Sequence, residues 1–150
     1  MITLLHAFAF SCAAALAFPQ LAAAQSVADA MSRWGLLGTW SLDCTKAASN
    51  ANGYLSYVVK DRGRVAHERN FGDRRDSNEV LQATLAPDGS IALTVHFKEL
   101  SQTRKWIIVR GSDGRVRTIS NNLVNTNEYT IKDGKFTANG NPTSWQARCR

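Results

Sequence analysis

A chain of 150 residues with 18 Lys+Arg against 12 Asp+Glu is long enough for one domain and carries a formal charge of +6. All of these charges lie after residue 24, with the two signs interspersed, which excludes a charged tail or basic block. With no basic stripe and no aromatic binding motif, the composition argues against a nucleic-acid partner; the positive bias is that of a soluble surface, with attraction toward anionic envelope material or an acidic protein as the functional alternative.

Residues 1–24, MITLLHAFAFSCAAALAFPQLAAA, contain no acid, Lys or Arg and end on three alanines. An apolar core followed by small residues predicts a secretory signal peptide cut after Ala24. A membrane-spanning helix needs roughly 20 apolar residues, and His6, Ser11, Pro19 and Gln20 interrupt this run. The bulky Phe10 also argues against lipid attachment at Cys12. The expectation is a cleaved leader over 1–24 and a single β-barrel domain over 25–150, periplasmic or secreted and without a membrane span.

Export bears on the cysteines. Cys44 and Cys149 remain after the leader, and two thiols in an oxidising compartment predict one disulfide tying the first strand to the last segment. The alternative is a pair of inert buried thiols.

The spacing predicts a helix over 26–35, with Ser26 as its cap, Asp29 three residues on, and Val27, Met31 and Trp34 on one face. Four turn signals then follow: Asp61-Arg62-Gly63, Asp88-Gly89, Asp113-Gly114 and Asp133-Gly134. Gly accepts positive φ and Asp tolerates the left-handed region, so each marks a hairpin. Strands are predicted at 37–44, 54–60, 64–71, 78–85, 91–97, 103–110, 115–121, 128–132, 135–138 and 144–149. Ile91, Leu93, Val95 and Phe97 alternate with Ala92, Thr94, His96 and Lys98, giving one packed face and one wet face. Trp106 and Ile108 face one way and Ile107 and Val109 the other, so that strand is covered on both sides or lies under the helix.

Short, evenly spaced strands without intervening helices predict an all-β fold: an antiparallel up-and-down meander with a short N-terminal helix. About 8–10 strands closed into a small barrel would leave no open edges. The predicted disulfide brings the two ends together as closure requires; a two-sheet sandwich is the competing architecture.

The stretch Trp34-Gly35-Leu36-Leu37-Gly38-Thr39-Trp40 resembles the opening of calycin-type barrels, the lipocalins, avidins and secreted bacterial metalloprotease inhibitors. In those families a helical turn precedes Gly-x-Trp on the first strand, which Gly38 and Trp40 match. The resemblance implies an Arg from near the last strand over the motif Trp, for which Arg148 and Arg150 are the candidates. Nothing after the last strand resembles the C-terminal helix of a lipocalin.

Aromatic residues along the strands (Trp40, Trp106, Trp145, Tyr54, Tyr57 and Phe71) can fill the interior or line a cavity for one small ligand. The candidate apolar lining is Tyr57, Phe71, Leu93, Phe97 and Trp106. Arg62 and Arg64 beside one turn, and Arg115 and Arg117 beside another, fall at the same end of a meander and form a candidate basic rim for carboxylate or phosphate. His67 and His96 are the two histidines after the leader, and no nucleophile elbow, phosphate loop or zinc motif occurs. No catalytic residue, metal site or cofactor is expected.

The sequence therefore predicts a monomeric, non-enzymatic exported barrel that binds a small amphipathic or anionic ligand. A protein-binding module is the alternative: an inhibitor of an extracytoplasmic protease or other hydrolase that uses residues 25–34 as a probe, by analogy. A structural or stress-related envelope protein is the third reading.

Overall fold

The computed structural model describes residues 25–150; the predicted leader over 1–24 lies outside the described residues. Helix α1 is Val27–Trp34, followed by ten strands: β1 Gly38–Ser41, β2 Tyr54–Val59, β3 Val65–Asn70, β4 Arg75–Leu85, β5 Ile91–Phe97, β6 Gln102–Arg110, β7 Val116–Leu123, β8 Tyr129–Lys132, β9 Lys135–Phe136 and β10 Ala147–Cys149. All ten belong to one antiparallel sheet in the order β10-β1-β2-β3-β4-β5-β6-β7-β8-β9.

The helix forms where its caps predict. Ser26 Oγ accepts from the Asp29 amide at 3.1 Å, and Gly35 closes the C-terminus at φ 77°. Ala30 and Met31 are buried. The helix packs on β4 rather than over β6. Trp34 fixes its end, donating from Nε1 to the Gly89 carbonyl at 2.7 Å, while the Arg110 guanidinium lies 4.5 Å above the Trp34 ring and donates to its carbonyl. The β2–β3, β4–β5 and β6–β7 turns share this helix end.

Alternation holds in β5, where Ile91, Leu93, Val95 and Phe97 are buried and the residues between them are half-buried. In β4 the register shifts between Val80 and Gln82. This bulge leaves Leu81 exposed while Val80 faces the core and Ala83 packs against it.

Three strands differ from expectation by three residues at one end: β1, β4 and β10, the last starting at Ala147 rather than 144. β4 begins at Arg75, ahead of its predicted start at 78, because Arg69 and Asp76 face each other in register and form an ion pair. β1 ends at Ser41, before its predicted end, because the chain turns into a loop organised by Asn52. The buried Asn52 side chain accepts from Ser41 Oγ and the Asp43 amide, each at 3.0 Å, and donates to the Asp43 carbonyl at 3.0 Å.

The disulfide forms as expected, Cys44 to Cys149 with Cα atoms 5.4 Å apart. The predicted closed barrel does not: the sheet is not closed, and it is one sheet rather than a sandwich. The reason lies along β7. Its C-terminal half is taken by β8, through Asn121 with Ile131 and Asn122 with Tyr129. The Ile119 carbonyl is taken by the Gly134 amide and the Thr118 carbonyl by the Thr143 hydroxyl, and the returning chain bridges β7 at Val116, which exchanges backbone hydrogen bonds of 3.0 and 2.8 Å with Gln146. β10 is three residues long, pairs with β1, and continues no further along β7.

Gly38 and Trp40 sit at the start of this arrangement. Trp40 is buried and donates to the Leu36 carbonyl at 2.8 Å. Of the two candidate arginines, Arg148 pairs in register with Trp40 and donates to the Leu37 carbonyl at 2.9 Å. Gly38 adopts φ 120°, and a Cβ there would stand 3.1 Å from Arg148 Nε, so both the backbone angle and the space call for glycine.

Cutting the disulfide releases a loop with a sequence separation of 105. The chain-entropy model then predicts that Cys44→Ser/Cys149→Ser is less stable by about 4–5 kcal/mol. Urea unfolding of the oxidised protein and the variant measures this; equal midpoints would show that the bridge clasps nothing.

Candidate functional site

The concave face of the sheet is filled toward the helix. Met31, Leu36, Trp40, Tyr57, Val65, Val80, Ile91, Leu93, Val95, Phe97, Trp106, Ile108 and Val116 form one buried cluster. Trp106 also borders a cavity of about 390 Å³ between the 42–53 loop, the β8–β9 hairpin and residues 143–146. Its apolar lining comprises Leu42, Leu55, Phe71, Trp106, Ile131 and Phe136, and its polar lining includes Asn121, Thr118, Thr130, Thr143 and Gln146. Arg69 also lines it, and no carboxylate does. Volumes of this order suit a small organic ligand. Leu42 and Phe136 are each more than 40 % exposed, so the entrance is apolar as well as the walls.

Each wall has a local cause. Phe71 is seated by Gly53, where any Cβ would occupy the position of the ring. Arg69 spans the space above Phe97, with its guanidinium 4.7 Å from that ring and 5.9 Å from Phe71. Its Nε donates to both Asp76 oxygens, at 2.8 and 3.1 Å, and Asn78 also donates to Asp76. Burial works against the Asp76 charge, but the hydrogen bonds and charge of Arg69 outweigh it and hold this carboxyl below the usual range. Arg104, on the same face of β6 as Trp106, donates from Nη1 to Asn121 Oδ1 at 3.0 Å and from Nε to Gln102 Oε1 at 3.3 Å.

Beneath the cavity wall is an aromatic stack around His67. Its ring lies 4.8 Å from Tyr57 in parallel and 4.7 Å from Trp106 edge-on, with Phe97 beyond. Among the described residues, neither ring nitrogen of His67 has a hydrogen-bond partner, and neither does Trp106 Nε1, although all three atoms are buried. Polar atoms buried without a partner cost stability. Burial, with the nearby Arg69 charge, pushes the His67 pKa down to about 3. Burial likewise pushes the Tyr57 phenol above its ordinary value.

The sequence-predicted site therefore divides. Phe71 and Trp106 line the cavity; Phe97, Tyr57 and Leu93 face the same interior beneath it. Arg62, Arg64 and Arg115 stand in or beside the turns at the helix end and do not line the cavity. Arg117 lies 4.7 Å over the Trp145 ring and does not line it either. Trp40 belongs to the core, and the Tyr54 hydroxyl donates to the Lys46 carbonyl at 2.6 Å. Arg69 and Asn121, which the sequence reading left aside, supply polar groups of the lining, and Arg104 holds Asn121 without lining the cavity itself. Strand parity carried the signal for Arg69, two residues from His67. The segment 25–34 forms the docked helix, and Ala30 and Met31 would leave the core if it were used as a probe.

No family model matches the chain, and no curated protein or solved structure is significantly similar to it.

The depressed His67 pKa fixes a pH dependence. The unfolded chain binds a proton near pH 6.5 that the folded protein refuses until about pH 3. Folding stability is thus full above pH 6.5 and falls as pH drops below it, by about 1.4 kcal/mol per pH unit for this one proton. Urea unfolding between pH 6.5 and 4.5 reads the slope, and His67→Phe should flatten it; an unchanged slope in that variant would place the titration elsewhere.

Proposed function

We propose that this chain is an exported, non-enzymatic binding protein that holds one small amphipathic ligand in the cavity beside Trp106. The observation that carries the reading is a cavity of about 390 Å³ in which Leu42, Leu55, Phe71, Trp106, Ile131 and Phe136 form an apolar lining beside polar groups of Thr118, Asn121, Thr130 and Gln146. A ligand with an apolar body and a polar end would cover Leu42, Phe71 and Phe136 and meet the polar groups of Asn121 and Gln146. Such a cavity, mostly hydrophobic with a few fixed polar groups, is what small-ligand recognition requires. Export is supported by the Cys44–Cys149 bridge, since such bonds persist in oxidising compartments.

Calorimetric titration with a panel of ten-carbon amphiphiles tests the reading, with one ligand per chain expected. Ala51 is exposed at the cavity edge, so Ala51→Trp should obstruct the cavity and weaken binding at least tenfold. Its stability should stay within about 0.5 kcal/mol, as for ordinary surface changes. Binding undiminished in Ala51→Trp, or no binding by any amphiphile, would contradict the assignment.

A further inference from the structure

Resting on that reading, we infer that the ligand is uncharged and enters polar end first, with the side-chain amides of Asn121 and Gln146 reading its head.

The lining grades inward from apolar to polar. Leu42 and Phe136 are each more than 40 % exposed, whereas Asn121 is 8 % exposed and Gln146 is half-buried. An apolar tail left at the entrance and a polar end carried inward match both ends of this gradient. A polar end held inside is stripped of water, so its charge needs a partner there. None is free. Arg69 is the one ionisable side chain in the lining, and Asp76 already takes it through both carboxylate oxygens. An anion would have to share Arg69 with that internal carboxylate, and a cation would meet no acid in the lining.

What the inner lining does offer is neutral hydrogen bonding. Arg104, outside the lining, donates to Asn121 Oδ1 at 3.0 Å. That bond fixes which way the amide is turned and leaves Nδ2 as its free end. Asn121 Nδ2 and both polar atoms of the Gln146 side chain make no hydrogen bond among the described residues and, unlike Trp106 Nε1, are not buried. Together the two amides present donors from both residues and an acceptor from Gln146. A carboxamide or hydroxyl, which donates and accepts, complements that set; a carboxylate only accepts, and a quaternary ammonium does neither.

Calorimetric titration of the oxidised protein with decanamide, decanol, decanoate and decyltrimethylammonium compares heads on one kind of tail. Both neutral compounds should bind at least about tenfold more tightly than either ion. Gln146→Leu should weaken decanamide about tenfold, and Gln146→Glu should raise the affinity for decyltrimethylammonium about tenfold, a gain that a merely structural role of Gln146 would not produce. The comparison of heads on the unmodified protein stands even if a variant fails to fold. Either ion binding as tightly as the neutral compounds, or a folded Gln146→Glu without the gain, would overturn this inference and leave the cavity reading intact. Failure of every amphiphile to bind would remove both.

Discussion

The double attachment of the C-terminal segment is the constraint on which the rest of the structure depends. Residues 146–149 touch β7 through one backbone bridge, run along β1, and end in a disulfide to the loop that follows β1. Without these contacts β1 and β7 would be separate regions of a long meander. With them, the sheet curls so that β1 and β7 flank one short segment, and a concave face is enclosed without a closed ladder. The disulfide limits how far the unfolded chain can spread, which offsets part of the cost of bringing distant strands together.

Incomplete closure and the cavity share a cause. β8 occupies the edge of β7 that a full closing strand would use, so the β8–β9 hairpin extends past the junction and becomes a wall. Thr143 ties this wall back, donating to the Thr118 carbonyl at 2.7 Å while its amide donates to the Gly134 carbonyl at 2.8 Å. The helix end is packed with aliphatic side chains, whereas the other part of the interior carries His67, Arg69, Asn78, Trp106 and Asn121. A polar interior of this kind is costly if it only stabilises the fold, since each unpaired donor forfeits hydration.

Much of this was legible in the sequence because the signals were local. Asp-Gly pairs marked the hairpins, Ser26 and Gly35 marked the helix, and alternation from Ile91 to Phe97 identified the packed face. The cysteine pair was legible through compartment chemistry. What escaped was long-range. The Asn52 side chain ends β1 by binding backbone groups across the loop, and nothing in the order of residues announces that. The Arg69–Asp76 pair extends β4 into a stretch whose composition reads as a turn. Turn geometry grouped Arg62, Arg64, Arg115 and Arg117 at one end of a meander, but it could not say that the space available to a ligand lies elsewhere. That depended on which edge of β7 the returning chain reached.

The central claim is that residue 146 joins two distant parts of one sheet, and it is tested most directly by amide hydrogen exchange at Val116 and Gln146 in the oxidised protein. Their N–H groups donate to each other's carbonyls, at 3.0 and 2.8 Å, so the account predicts protection comparable to that of the central amides of β5 and β6. Exchange at the rate of the exposed turn amides, with the disulfide intact, would contradict it.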